Sequence, residues 1–228
     1  MFNGLMKAVT FSYDDGITQD RRLIDIFNRY GLKATFNINS ECLGQAVSLI
    51  RNDFTVAHCK PRPCEVEKIY KGHEVAVHTL THPNLNDLPE DEIVRQIEED
   101  KKNLSALVGY EVQGMAYPSC MPDERTIEIV RSKTDMKYAR TVETTGNFDI
   151  QNDLIGFKPT IYHLDFGKMF ALADEFISLK PDEPKLFYIW GHSYEFDYEN
   201  TWSLMEEFCK RISGRSDIFY GTNAEVLL

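Results

Sequence analysis

The sequence predicts an α/β fold in which helices cover a mostly parallel sheet. Two observations support this prediction: short β-rich runs alternate with segments of helical periodicity, and titratable side chains gather where the runs end. The length of 228 residues suits one domain, so we assign residues 1–228 to a single domain. At this point a closed barrel and an open sheet both fit the spacing.

Strands are predicted where apolar residues alternate or cluster between turn residues. They lie at residues 7–13, 34–38, 74–78, 114–117, 137–142, 185–190 and 217–220. The first strand ends at Asp14-Asp15-Gly16, and the third ends at His78. Since the carboxyl ends of parallel strands open on one face of a β/α barrel, we expect these polar residues to share one site.

Helices are predicted at residues 18–30, 64–71, 89–108, 123–132, 167–179 and 201–212. The segment 89–108 has the strongest pattern, because Pro89 lies at its start, acidic residues fill its first turn and Gly109 follows it. Residues 40–63 carry no regular pattern and contain two prolines near their end, which predicts an irregular surface excursion.

Composition and charge exclude several classes of function. The net charge is −11 and basic residues are nowhere massed, which argues against a nucleic-acid partner. The five cysteines have no zinc-knuckle spacing, so reduced thiols are expected. Neither a signal peptide nor a membrane-length apolar stretch is recognised, so a cytoplasmic location away from membranes is expected. A small molecule or an oligosaccharide is the expected partner.

The first cluster that carries chemistry is Ser12-Tyr13-Asp14-Asp15-Gly16. Two adjacent carboxylates at the end of a buried strand are costly unless a cation or hydrogen-bond donors satisfy them. Asp-Gly is also a common turn dipeptide, so the cluster taken alone fits an ordinary turn as well.

The second cluster is His78-Thr79-Leu80-Thr81-His82. Its threonines disfavour a helix, so we expect a strand end that runs into a loop and delivers both histidines. Two imidazoles and one carboxylate are a common ligand set for zinc, and they leave coordination positions open. The His-x-x-x-His spacing also recurs by chance, so two polar loop histidines remain the alternative.

The third cluster is Trp190-Gly191-His192, where an apolar strand delivers one histidine into a turn rich in aromatic residues. Together the three clusters resemble motifs of the polysaccharide deacetylases, which form carbohydrate esterase family four and share the NodB-homology domain. Their order and separation match that family from Lys7 to about Glu225. The resemblance implies a distorted (β/α) barrel with fewer than eight regular units.

The resemblance also implies a reaction, the metal-dependent hydrolysis of a carbon–nitrogen amide bond, and in particular N-deacetylation of an amino sugar or oligosaccharide. Asp15, His78 and His82 would bind a divalent metal, with Zn²⁺ favoured and Co²⁺, Ni²⁺ or Fe²⁺ also compatible with these ligands. Asp14 would be the general base for a metal-bound water, and His192 would be the general acid that protonates the leaving amine.

One motif departs from the pattern of the family. Ala116 stands where the family has an arginine that orients the catalytic aspartate, and Ser119 stands where it has an aromatic residue. Arg140 is a candidate replacement for the arginine, although a structural ion pair is its alternative. Tyr117 and the Ser119 N–H are expected near the substrate or its oxyanion, and Trp190 either stacks on a sugar or packs in the core.

Around the site, some assignments stay open. Asp149 and Asp165 are both candidates for the carboxylate that orients His192. For His163, a residue without a role and a residue that lines the cleft are both considered, whereas His58 is expected to lie in a loose loop without a role.

Two other functions remain compatible with the sequence. Hydrolysis of cyclic amides or ureides, as in allantoinase-like relatives, uses the same scaffold, and the altered third motif favours a small substrate. A carbohydrate-binding pseudoenzyme would account for the missing arginine, but the complete set of base, acid and metal ligands argues against it.

Overall fold

The computed structural model describes residues 2–51 and 53–228. The strands, in chain order, are β1 (Lys7–Tyr13), β2 (Ala34–Ile38), β3 (Ser48–Arg51), β4 (Phe54–Ala57), β5 (Glu74–Val77), β6 (Gly114–Ala116), β7 (Tyr138–Arg140), β8 (Ile161–Tyr162), β9 (Lys185–Gly191) and β10 (Phe219–Tyr220). The α-helices are α1 (Asp20–Arg29), α2 (Val66–Ile69), α3 (Glu90–Val108), α4 (Glu124–Lys133), α5 (Phe166–Ser178), α6 (Glu195–Tyr198), α7 (Trp202–Ile212) and α8 (Asn223–Leu227).

The main sheet is parallel and curls into an incomplete barrel with helices outside it. Its strand order is β7-β6-β5-β2-β1-β9-β8, with β10 paired to β1. Every residue of β1 is buried, as expected for a central parallel strand that is covered on both faces. This arrangement confirms the predicted α/β barrel with fewer than eight regular units.

An irregular segment connects the edge strand β7 with β9, which lies next to the other edge of the curled sheet. The Ala139 N–H on β7 donates to the Leu154 carbonyl at 2.7 Å, and the Thr160 N–H donates to the Tyr188 carbonyl of β9 at 2.9 Å. Residues 154–160 therefore satisfy edge groups that a further strand would satisfy in a regular barrel. Seven strands form the curled path of the sheet, and β10 is paired to β1 outside that path.

Packing between the sheet and its helices is dominated by aromatic side chains. The ring of Phe11 on β1 lies 4.7 Å from the ring of Phe27 on α1 and 6.2 Å from that of Phe208 on α7. Such tilted and edge-on pairs add to the hydrophobic stabilisation of the buried area. They fix both helices against the strand that carries the Asp14-Asp15 pair.

Most predicted elements agree with the structure to within two residues, and α3 is the clearest case. Pro89 precedes its first residue, and Gly109 follows its last one with a left-handed φ of 76°. The predicted irregular excursion at residues 40–63 is wrong in part, because β3 and β4 form an antiparallel hairpin there. The hairpin was missed because its strands have four residues each and pack mainly through Val56.

Three further short elements were not predicted: β8, α6 and α8. They contain two, four and five residues, which is too few for a periodic pattern to emerge. Among the helices of the described residues, none combines the length and apolarity that crossing a bilayer requires.

The packing of β6 on β7 yields a stability prediction. A Cβ atom on Gly114 would lie 1.9 Å from Cζ of Tyr138, whose hydroxyl donates to Glu74 Oε1 at 2.8 Å. Because that ring is held by its hydrogen bond, Gly114→Ala should lower the free energy of unfolding by about 1–3 kcal/mol, measured by urea denaturation.

Gly167→Ala is the matched control, because a Cβ at this position in α5 meets no atom within 4 Å. It should leave the free energy of unfolding unchanged or raise it by about 0.5–1 kcal/mol. Equal losses in the two variants would contradict the proposed clash.

Candidate active site

The Asp14-Asp15 pair lies in a sharp turn at the end of β1. The Asp14 N–H still pairs with the Gly191 carbonyl at 3.0 Å, whereas Asp15 adopts a left-handed φ of 79°. Gly16 follows with a φ of 57°, and a Cβ on it would lie 2.9 Å from the side chain of Ile38. Glycine is therefore required at this position, and the turn separates the directions of the two carboxylates.

Asp14 is almost fully buried and is neutralised by an arginine. Nη2 of Arg140 lies within hydrogen-bonding distance of both carboxylate oxygens, and Asn37 Nδ2 donates to Oδ1 at 2.8 Å. Burial alone would raise the pKa of Asp14, but the charges of Arg140, His78 and His192 lower it below its usual value. Asp14 is thus a carboxylate at neutral pH.

Arg140 reaches Asp14 from the strand next to the one that lacks the arginine. In the parallel register of β6 and β7, Ala116 is paired with Arg140. The Arg140 guanidinium is fully buried and lies 4.4 Å above the ring of Trp190. Arg140 is not among the residues that line the cavity, and it contacts Asp14 from within the protein.

Asp15, His78 and His82 bring three ligand atoms within 4.8 Å of one another. Asp15 Oδ1 lies 3.5 Å from His82 Nε2 and 3.8 Å from His78 Nε2. Nδ1 of His78 donates to the Ala116 carbonyl at 2.8 Å, which leaves the lone pair of Nε2 free.

His78 Nε2 also supplies a test of whether a cation fits this site. The atom is buried, and it has no hydrogen-bond partner among the described residues. Burial, as the largest cause, lowers the pKa of His78 to about 4, so its imidazole is neutral and able to bind a metal. A buried nitrogen without a hydrogen-bond partner lowers the stability of a protein unless another group binds it. A cation bound by both His78 Nε2 and the Asp15 carboxylate would satisfy this nitrogen, so the residues fit a divalent metal.

The loops that carry these ligands adopt strained backbone conformations. Thr79, His82 and Ser119 have φ values of 68°, 62° and 66°. The Thr79 hydroxyl accepts a hydrogen bond from the His82 N–H at 3.2 Å, and Asn39 Nδ2 donates to the Thr79 carbonyl at 3.0 Å. Left-handed residues other than glycine persist only where surrounding contacts hold them, and such residues cluster at functional sites.

Ser119 and Tyr117 lie beside the proposed ligands. Ser119 is exposed, and its Oγ lies 3.3 Å from His82 Nδ1. Its backbone N–H donates no hydrogen bond to any of the described residues, so it is free to serve an oxyanion. Tyr117 forms part of the cavity wall, but its hydroxyl donates a hydrogen bond to the Ile155 carbonyl at 3.0 Å.

His192 faces Asp14 across the site and is held by a glutamate. Nε2 of His192 lies 4.0 Å from Asp14 Oδ2, and Nδ1 lies 3.3 Å from Glu195 Oε2. Burial alone would lower the pKa of His192, but the Glu195 hydrogen bond and the nearby carboxylates raise it to about 9. The imidazole therefore carries its proton at neutral pH.

The two aspartates considered as partners of His192 lie elsewhere. Asp149 pairs with Lys185 at 2.8 Å on the surface, and Asp165 caps α5. The residue that was missed, Glu195, follows His192 by three positions, a spacing that one turn of chain brings together. This i, i+3 spacing is the sequence feature that could have indicated the His192–Glu195 contact.

Two histidines outside the three clusters contact acidic residues of the site. His163 is fully buried and does not line the cleft, because its Nε2 contacts Glu195 Oε2 at 2.7 Å behind the site. His58 is not idle in a loose loop: its Nε2 lies 2.9 Å from Asp15 Oδ2. The hairpin that precedes His58 brings it there, and no local sequence pattern indicates that contact.

These residues meet in one cavity of about 500 Å³ at the carboxyl ends of the strands. Its walls include Asp14, Asp15, His78, His82, Trp190 and His192. A buried carboxylate, a protonated imidazole and three side chains able to bind a metal therefore surround a space large enough for a small organic molecule or a sugar unit.

The sequence profile of the polysaccharide deacetylase family matches residues 3–139. No curated protein matches the sequence. Among solved structures, an allantoinase is similar to this chain with a TM-score of 0.70 and 10% identity, over 96% of this chain and 88% of that one.

Two further structures are similar at a TM-score of 0.58 each. A family 4 carbohydrate esterase from Streptomyces lividans, in complex with acetate, is 14% identical over 96% of this chain and 92% of that one. A pseudoenzyme of the same esterase family from Bacillus anthracis is 17% identical over 97% of this chain and 66% of that one. The chain thus spans about two thirds of the length of that pseudoenzyme. At these identities the likeness shows the fold.

The buried Asp14–Arg140 pair gives a testable prediction about stability. Arg140→Met would leave a buried carboxylate without its cation and should lower the free energy of unfolding by about 3–5 kcal/mol. The double variant Asp14→Asn, Arg140→Met removes both charges and should recover most of that loss. Urea denaturation in the presence of a chelator measures both.

Arg95→Met is the control, since Arg95 pairs with Glu92 on the surface and little stability should be lost. If the double variant were as unstable as Arg140→Met, the loss would stem from the missing guanidinium packing and not from an uncompensated charge.

Proposed function

The chain belongs to the polysaccharide deacetylase family, and on that premise we propose that it hydrolyses a carbon–nitrogen amide bond with the help of a divalent metal. N-deacetylation of an amino sugar or oligosaccharide is the leading reaction. The observation that carries the proposal is the convergence of Asp14, Asp15, His78, His82 and His192 on one cavity.

Asp15, His78 and His82 would hold the metal, and Zn²⁺ is proposed because two imidazoles and one carboxylate suit it. When bound, such an ion lowers the pKa of water and polarises an amide carbonyl. The neutral state of His78 and its unpartnered Nε2 support this role.

Asp14 is proposed as the general base. It is ionised, and the contacts from Arg140 and Asn37 fix its orientation, so that it can accept a proton from an attacking water without moving. Arg140 is proposed as the positioning residue that substitutes for the arginine absent at Ala116.

His192 is proposed as the general acid on the opposite side of the cavity. An amine leaves poorly until its nitrogen is protonated, and the protonated His192 supplies that proton. Glu195 is proposed to hold the ring and to keep the proton on it. The free N–H of Ser119 would donate to the oxyanion, while Trp190 and Tyr117 would contact the substrate from the cavity wall.

Hydrolysis of a cyclic amide or ureide is a second candidate. The cavity of about 500 Å³ is lined on one side by residues of the β3–β4 hairpin, including Leu49 and Arg51, and a single ring fits such a space. A carbohydrate-binding pseudoenzyme is the candidate of another class. The absence of turnover on both substrate types would favour it.

A substrate panel tests these alternatives. The purified protein, supplied with Zn²⁺ or Co²⁺, should release acetate from N-acetylglucosamine oligomers, whereas ring opening of hydantoin-type compounds would identify the second candidate. Asp14→Asn should lower kcat by about 10²–10⁴-fold, because the base is lost, while metal binding is retained. Asp149→Asn, a surface variant, is the control, and intact turnover in Asp14→Asn would exclude Asp14 as the base.

The pKa of His192 gives a second test. Because the acid must be protonated, kcat/KM should fall as the pH rises through about 9. Glu195→Gln removes the hydrogen-bonded negative charge that raises the pKa of His192, so this basic limb should move to lower pH. The exposed Glu199→Gln, directly after the same short helix, is the control. An unmoved limb in Glu195→Gln would show that another group limits the rate at high pH.

A further inference from the structure

The β3–β4 hairpin is joined to the turn that carries Asp15. The Thr18 N–H donates to the Cys59 carbonyl at 2.8 Å, and Gln19 Nε2 donates to the Ala57 carbonyl at 2.7 Å. Val56 of β4 packs in a small buried cluster with Ile17. The hairpin and the segment that follows it are therefore fixed directly beside the proposed metal ligand.

Two side chains from this segment hold Asp15 itself. Nε2 of His58 lies 2.9 Å from Asp15 Oδ2, and since a carboxylate only accepts hydrogen bonds, Nε2 must carry the hydrogen. Lys60 Nζ donates to the main-chain carbonyl of Asp15. The His58 ring is kept in place by an edge-on contact with Tyr194, with ring centroids 5.1 Å apart. His58 therefore holds the side chain of Asp15, and Lys60 holds its main chain, both from the segment that follows the hairpin.

The two oxygens of Asp15 have different partners. Oδ1 faces His78 Nε2 and His82 Nε2, whereas Oδ2 is taken by His58. His58 is not one of the residues whose ligand atoms converge within 4.8 Å. It can therefore act on a metal through Asp15, by fixing the rotation of the carboxylate that presents Oδ1.

We propose that His58 is a positioning residue for the metal site, and that closure of the β3–β4 hairpin and metal binding stabilise each other through the His58–Asp15 contact. This inference rests on the metal site of the proposed function, but it does not depend on the substrate or the reaction. Linkage requires the effect to be reciprocal: if the closed hairpin raises the affinity for the metal, the metal must favour the closed hairpin by the same factor.

Metal affinity is the first measurement. His58→Ala should weaken Zn²⁺ binding by about 10–100-fold in competition with a chromophoric chelator, as observed for groups that orient metal ligands. His58→Gln keeps an N–H donor near the position of Nε2 and should restore most of the affinity. Thr55→Ala, an exposed change on the same hairpin, is the matched control and should bind Zn²⁺ like the unaltered protein.

Hydrogen exchange of the hairpin is the second measurement. It distinguishes a role of His58 that is linked to the metal from a role in the stability of the hairpin alone, because only the former makes the exchange rate depend on Zn²⁺ through His58. Saturating Zn²⁺ should slow amide exchange in residues 48–51 and 54–57 of the unaltered protein and of Thr55→Ala. In His58→Ala the hairpin should exchange at the same rate with and without Zn²⁺. Equal metal-dependent slowing in all three proteins, or unchanged Zn²⁺ affinity in His58→Ala, would overturn the proposal.

The two proposals fail in different ways. Zn²⁺ binding that survives both Asp15→Asn and His78→Ala would overturn the metal site and the role of His58 together. A protein that binds Zn²⁺ with the expected hairpin coupling, yet hydrolyses no amide, would overturn only the proposed function.

Discussion

The buried ion pair of Asp14 and Arg140 sets the conditions for the rest of the site. A carboxylate this deeply buried would take up a proton unless a cation lay beside it, and a protonated Asp14 could not act as a base. The guanidinium keeps Asp14 ionised, and its ionised state in turn helps to keep the proton on His192. The charge states of the proposed base Asp14 and the proposed acid His192 therefore depend on each other, and that of Asp14 depends on Arg140.

The position of Arg140 illustrates how a parallel sheet can preserve a contact while its residues change. Ala116 and Arg140 are paired across neighbouring strands, so a long side chain from either strand end can reach the same point above the sheet. The buried guanidinium of Arg140 stacks on the face of Trp190 and donates from Nη1 to the Thr141 carbonyl, while its Nε has no partner among the described residues. The sheet register therefore explains why the departure at Ala116 leaves Asp14 with its cation.

The parts of the molecule that could be predicted from sequence are those with a local pattern. Strand ends rich in polar residues indicated Asp14, Asp15, His78 and His192, and the periodicity of α3 gave both of its ends. The contact of His58 with Asp15 spans 43 positions and depends on a hairpin with little periodicity, so no local pattern could reveal it.

The left-handed backbone at Asp15, Thr79, His82 and Ser119 carries a consequence for engineering. Each such residue costs about 1–2 kcal/mol that a glycine would not cost, so the loops around the cavity hold backbone strain at four positions. Selection for heat resistance alone would tend to replace these residues by glycine, and at Asp15 and His82 that change would remove a proposed metal ligand. Variants of this protein made for higher melting temperature should therefore keep these four positions fixed and draw their gains from the helical shell of the barrel.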